Sequence, residues 1–201
     1  MGLKKINLIA VFIFLIVSFN ACSNKITKPY ENEYYSKKDL DKINKIMKEN
    51  RVNIDLNFKK QMLKEKKELK KIYLINNYIA TFSYKSDKEI YNRNDYWATS
   101  EQFFKNGGGD CEDISISQYD LLIKYGVNEN KLDFLKGKNL SGQNHLVLRY
   151  KIKENDYLIL EHGYITKYKN YTSSFLIQTG IYSYSKYKIL KKINNLFSYI
   201  I

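Results

Sequence analysis

The chain reads as an α+β protein, with helices first, an antiparallel sheet after, and a cysteine carried on the first turn of the helix between them. Three observations predict this class. Leu40, Ile43 and Ile46, and then Phe58, Met62, Leu69, Ile72, Tyr73, Ile75 and Ile79, recur at helical spacing in the first half. Residues 144–152 and 157–164 alternate apolar and polar positions in the second half, as half-buried strands do. Between the halves, Gly107-Gly108-Gly109-Asp110-Cys111-Glu112-Asp113 runs straight into a helical pattern. Helices followed by consecutive strands define an α+β arrangement.

The N-terminal segment stands apart. Lys4 and Lys5 precede an apolar run over 8–17, the pattern of a secretory signal over 1–21, and the run is too short for a membrane span. Phe19-Asn20-Ala21-Cys22 resembles a lipobox, which places a lipid anchor on Cys22 and the chain in the periplasm. Residues 22–38, with the sole proline at Pro29, read as a tether, and 39–201 as one domain. Cleavage leaves about 180 of the 201 residues, enough for a core of its own. The charge of +13 comes from lysines spread along the chain. With export, that spread argues against nucleic acid and leaves the membrane to the lipid alone.

In order, a helix is expected over 39–50, with Asp39 and Asp41 in its first turn, and a second, longer one over 58–78. The run Lys64-Glu65-Lys66-Lys67 belongs on its polar side. Residues 80–84 are β-like and 85–94 a polar loop. Thr99 with Gln102 forms a capping box for a short helix that Gly107 ends. The cysteine-bearing helix takes in Ile114, Ile116, Leu121, Leu122 and Ile123 and stops at Gly126. Strands are expected over 131–135, 144–152, 157–164 and 181–190.

Of the two cysteines, a lipidated Cys22 leaves Cys111 without a disulfide partner. An unpaired thiol in an exported chain points to catalysis. A helix N-terminus lowers a thiol pKa and aims N–H groups at a developing oxyanion. The glycines permit close approach of a substrate. Asp110, Glu112 and Asp113 act against the thiolate unless they are neutralised. They read either as helix caps, with Asp110 at the N-cap, or as hard oxygen ligands for a cation such as calcium.

A cysteine nucleophile needs a base, and only His145 and His162 are available. His145 shares a strand face with Val147 and Arg149, opposite Leu146, Leu148 and Tyr150. Leu158 and Leu160 lie opposite Tyr157, Ile159 and Glu161. If the leucine faces coincide, Glu161 falls on the face of His145 and His162 does not. Direct opposition of the pair requires a connection centred near Lys153, which a bulge could supply, and a tight turn at Glu154-Asn155 breaks it. Glu161 could instead pair with Arg149. No spacing supports a zinc site.

Asp95-Tyr96-Trp97-Ala98-Thr99, Glu101, Gly108-Gly109-Asp110-Cys111-Glu112-Asp113, His145-Leu146-Val147-Leu148 and Leu158-Ile159-Leu160-Glu161 together resemble the bacterial transglutaminase-like cysteine proteinases. The likeness spans about 75–164 and runs toward the periplasmic members that release a giant surface adhesin in biofilm control. It implies a papain-like, transglutaminase-like core, with Cys111 as nucleophile, His145 as base and Glu161 where the family has an aspartate. Asp110 and Glu112 match its calcium ligands. Ser100 stands where a proline is usual. The implied activity is endopeptidase cleavage of a large repeat-containing adhesin, with an inner-membrane regulatory receptor as a further partner. Acyl transfer on the same core, or a non-catalytic binding module, are the competing expectations.

Overall fold

The computed structural model describes residues 37–49, 54–174 and 176–182, with side chains over 41–47 and 54–171. The segment over 1–21, Cys22 and nearly all of the tether lie outside the described residues. So does 183–190 of the last expected strand. No helix among the described residues is long and apolar enough to cross a membrane.

Helix α1 (Lys37–Glu49) buries Ile43 and Ile46 in the main core. The long helix expected over 58–78 is two helices, α2 (Leu56–Lys64) and α3 (Glu68–Ile79). Asp55 starts α2 by accepting the Asn57 and Phe58 N–H groups at 3.0 and 2.9 Å. Glu65 and Lys67 then turn extended, and the Glu65 carboxylate takes the Lys67 N–H at 2.8 Å. The reason lies in phase. Phe58 and Met62 form one inward stripe and Ile72, Ile75 and Ile79 another, and their ten-residue offset from Met62 to Ile72 is not a whole number of turns. The break rotates the second stripe inward and leaves Leu69 and Tyr73 43% and 49% exposed. The basic run therefore marks the interruption, not a helical polar face.

Strand β1 (Ser83–Tyr84) is all that forms of the β-like stretch. The expected polar loop contains α4 (Asp87–Tyr91), capped by Ser86 on the Glu89 N–H. The Ser86-x-x-Glu89 pattern is the local signal for that start. Helix α5 (Ser100–Asn106) carries the Thr99–Gln102 capping box and ends on Gly107 at φ 68°, as its sequence requires.

The other two glycines of the run have a packing reason. Strand β2 (Gly108–Gly109) pairs in parallel with β1. A Cβ on Gly108 would stand 1.8 Å from the Ser83 carbonyl oxygen, and one on Gly109 2.5 Å from the Asp113 carboxylate. The close approach is by the protein's own backbone and an aspartate, where the sequence suggested a substrate.

Helix α6 (Cys111–Lys124) is the centre of the molecule. It buries Ile114, Ile116, Tyr119, Leu121 and Leu122, at about 2 kcal/mol for each large aliphatic side chain. Of its buried polar groups, Gln118 donates to Asn76 at 2.8 Å, while Ser117 Oγ has no partner among the described residues. After a 3₁₀ turn (Glu129–Lys131) come β3 (Leu132–Asn139), β4 (Asn144–Lys153), β5 (Asp156–Glu161), β6 (Tyr164–Lys167), α7 (Tyr168–Ser174) and β7 (Leu176–Tyr182). The sheet is antiparallel in the order β6-β5-β4-β3-β7.

Leu148 faces Leu160 and Tyr150 faces Leu158, so the leucine faces coincide. That face joins the helical core; Leu135, Val147 and Ile159 on the other pack with Tyr171 of α7. The β4–β5 hairpin does turn tightly at Glu154-Asn155, with Asn155 at φ 59°. The register shifts between Lys151 and Lys153, and that bulge restores the parity that the turn alone would have destroyed.

The glycine contacts yield a graded stability series. Gly108→Ala is expected to cost at least about 2 kcal/mol in chemical denaturation, because both its φ of 146° and the Ser83 carbonyl exclude a methyl. Gly142→Ala, with open space around it, is expected to lose only about 1 kcal/mol from its positive φ.

Candidate active site

Cys111 occupies the first position of α6, at the N-terminal end of a helix otherwise sunk in the core. Ser115, one turn on, donates its hydroxyl to the Cys111 carbonyl at 2.7 Å and lies 3.0 Å from the Leu146 carbonyl of β4. This buried hydroxyl joins the helix that carries the thiol to the strand that carries His145. His145 is the second residue of β4 and Glu161 the last of β5. His145 Nε2 stands 2.8 Å from Glu161 Oε1.

One more step along the register puts Val147 opposite Glu161, so the His145–Glu161 pair is diagonal rather than directly opposed. Arg149 is committed elsewhere: its guanidinium donates to Asp133 at 2.6 and 3.2 Å. The alternative pairing of Glu161 with Arg149 is not adopted. His162 also borders the site, but its Nε2 is engaged 2.7 Å from the Phe82 carbonyl and makes no bond to Glu161.

Cys111, His145 and Glu161 line one small cavity of about 50 Å³, with Tyr84 and Leu146 among its walls. Cys111 and His145 also border a wider cleft of about 510 Å³. Asp110, Glu112, Lys42 and Trp97 stand on that cleft. Among the described residues no hydrogen bond joins Cys111 to His145. The thiol instead donates to Glu112 Oε2 at 3.0 Å. Burial, and then the Glu112 charge and hydrogen bond, push the Cys111 thiol well up from its ordinary value. Glu161 is displaced the other way: burial raises it, but the hydrogen bond and charge of His145 and the hydroxyl of Tyr171 prevail and hold the carboxyl below the usual range.

Glu112 and Asp113 stand in the first turn of α6, and Asp113 takes the Asp110 N–H. Asp110 itself sits at the N-cap of α6, yet its side chain makes no capping hydrogen bond. Its Oδ1 is buried without a partner, as is Asp87 Oδ1. Asp87, from α4, joins Asp110 and Glu112 with ligand oxygens all within 4.8 Å of one another. Burial, and then the charges of Glu112, Asp113 and Asp87, push Asp110 up to about 9. Burial and the neighbouring carboxylates push Asp113 up to about 8, against the hydrogen bond from Ala98. Clustered hard oxygens with orphaned lone pairs fit a hard divalent cation.

The 95–99 segment is fastened to this cluster by its backbone. The Tyr96 N–H donates to Asp87, and the Ala98 N–H to Asp113 at 2.7 Å. Trp97 donates its indole N–H to Asp95 at 2.9 Å, and Lys42 reaches the same carboxylate at 2.7 Å.

A thiol at a helix N-terminus, an imidazole and a carboxylate around one cavity can divide nucleophilic and acid–base work. On an α+β core with this topology, that set defines a cysteine peptidase. The chain belongs to the bacterial transglutaminase-like cysteine proteinase family (BTLCP), whose family model matches residues 44–179. Among solved structures it is similar to calcium-bound LapG of Legionella pneumophila, at 25% identity and a TM-score of 0.55, over 72% of this chain and 87% of that one. It is likewise similar to EGTA-treated LapG of the same organism, at 26% identity and a TM-score of 0.51, over 68% and 78% of the two chains. No curated protein matches the chain. Its substrate is accordingly a protein.

Of the residues expected from sequence, the structure gathers Cys111, His145, Glu161, Asp110 and Glu112 around the two cavities. Asp87, within an expected polar loop, and Ser115 and Tyr171, whose contacts cross the sheet, carry no such signal in the sequence.

Two outcomes test the site. Ser115→Ala is expected to destabilise the fold by about 1–2 kcal/mol and to slow alkylation of Cys111, because a buried hydrogen bond across α6 and β4 is lost. Metal-free protein is expected to melt at lower temperature as pH rises from about 5 to 8. Asp110 and Asp113 bind protons more tightly folded than unfolded, where an aspartate titrates near about 4. Their contribution is complete below that unfolded value and is lost as pH climbs toward their folded values. A melting temperature that rises across the window in chelator contradicts the assignment.

Proposed function

We propose that this chain is an exported cysteine endopeptidase that cleaves a large, repeat-containing surface adhesin and so controls attachment or biofilm. The observation that carries the chemistry is the 2.8 Å contact of His145 with Glu161 at the cavity that Cys111 also lines. Cys111 is the nucleophile. His145 accepts the thiol proton as the sulfur attacks the scissile carbonyl, and a tetrahedral oxyanion forms. The Cys111 N–H, at the first position of α6, has no intrahelical acceptor and is the oxyanion donor. The C–N bond then breaks, and His145 returns the proton to the leaving amine. Water adds to the thioester with His145 as base, and the thiol is regenerated with release of the carboxylate. Glu161 keeps a proton on Nε2 and so leaves Nδ1 to work on the sulfur.

Calcium is the proposed cofactor, held by Asp87, Asp110 and Glu112. The similar LapG structures include one that is calcium-bound and one that is EGTA-treated, and the acidic donor set suits that ion. Bound calcium supplies the positive charge that offsets these carboxylates beside the thiol. Residues 1–21 serve as the export signal and 22–38 as the tether. A lipid on Cys22 holds the enzyme at a periplasmic membrane face. An inner-membrane receptor is the proposed regulator.

N-terminal sequencing of surface proteins from cells with and without this chain tests the reading. Chain-dependent new N-termini in a large adhesin are expected. Amine-linked products in place of new N-termini assign acyl transfer instead. Cys111→Ala is expected to lower cleavage at least about 1,000-fold with the fold intact, and retained cleavage would falsify the mechanism. Asp87→Asn is expected to raise the calcium concentration needed for half-maximal activity about tenfold or more. Activity indifferent to EGTA removes calcium from the proposal.

A further inference from the structure

The last helix on the far side of the sheet has no part in the chemistry described so far, yet one of its side chains reaches the site. Tyr171 of α7 is 4% exposed, and its ring packs with Leu135, Val147 and Ile159. That is the sheet face to which His145 and Glu161 belong by parity. The Tyr171 hydroxyl hydrogen-bonds the Glu161 carboxylate. Glu161 is thus held from two directions, by His145 Nε2 through one contact and by a buried phenol from behind.

We propose that Tyr171 is a positioning residue that fixes the Glu161 carboxylate, and through it the tautomer and orientation of His145. The inference rests on the catalytic reading of Cys111, His145 and Glu161. A glutamate side chain has three rotatable bonds, so a single hydrogen bond to an imidazole leaves the carboxylate free to swing. Glu161 is also the last residue of β5, just before Gly163 at φ 83° turns the chain into β6, and the backbone pairing there with Tyr164 does not fix its side chain. A phenol is suited to the task. Its ring is anchored in the apolar cluster, its hydroxyl has few positions, and burial keeps it protonated and so able to donate. The nearest cation on this face, Arg149, is taken by Asp133 and stacks on Tyr157 and Tyr168, so it does not compete for Glu161.

The test uses the whole domain with Tyr171→Phe, which keeps the ring and removes the hydroxyl. Nitrogen-15 NMR of labelled histidine is readable because the chain has only two histidines. The expected result is a loss of the Nε2–H tautomer of His145, with His162 unchanged. Iodoacetamide alkylation of Cys111 at pH 7, followed by mass spectrometry, is expected to slow about tenfold. In a Glu161→Gln background Tyr171→Phe should add no further loss. Ile159→Val, which loosens the same apolar cluster without touching a hydroxyl, should leave the His145 nitrogens as they were. An unaltered His145 spectrum in Tyr171→Phe overturns the proposal, as does an equal further loss in the Glu161→Gln background. Failure of the catalytic reading is visible separately, as cleavage retained by Cys111→Ala.

Discussion

The structure depends on one seam, where α6 lies against β4. Ser115 sits in that seam between the Cys111 and Leu146 carbonyls, and Leu146 and Leu148 fill it from the sheet side. The seam sets the distance between a helix N-terminus and a strand start, and so places a thiol and an imidazole on one cavity. Everything around it serves to hold that relation. Helix α3 backs α6 through the Asn76–Gln118 contact. The β1–β2 bridge, which admits no side chain at Gly108, fixes where α6 begins.

Electrostatics in this site run against the chemistry unless charge is supplied. Three carboxylates share a buried space beside the thiol, and two of them carry oxygens with no partner. Burying unpaired acids is costly, and folded proteins rarely do so without a compensating group. Their effect on Cys111 is plain, since the thiol proton is held by Glu112 rather than passed to His145. The same residues that oppose a thiolate in the free cluster become neutral toward it once their charge is met. A cation held here, as proposed, would link thiol reactivity to metal supply, and the 95–99 segment is bonded to Asp87 and Asp113.

Much of this was legible in the chain. Alternation in the strands fixed which face carries His145 and Glu161, because a period of two leaves no freedom once the leucines must face the helices. The capping box at Thr99, the stop at Gly107 and the helix start at Cys111 are local signals and were read correctly. The hairpin shows how far such reasoning goes. A tight turn at Glu154-Asn155 is by itself incompatible with the pairing, and the bulge at Ile152, which strand parity allows for but no residue marks, reconciles them. The long helix over 58–78 failed for a related reason. Apolar positions can be individually helical in spacing and still demand two orientations of the chain.

By itself the sequence determined the class of fold, the cysteine, the histidine and the carboxylate that shares its face, because periodicity and local capping are properties of neighbouring residues. Tertiary structure alone decided the rest. Asp87 reaches the acid cluster from a separate short helix, and Tyr171 reaches Glu161 from behind the sheet. Asp110, by local rules a cap, turns instead toward carboxylates that only folding brings near it. Such contacts join residues far apart in the chain, and no local pattern encodes them.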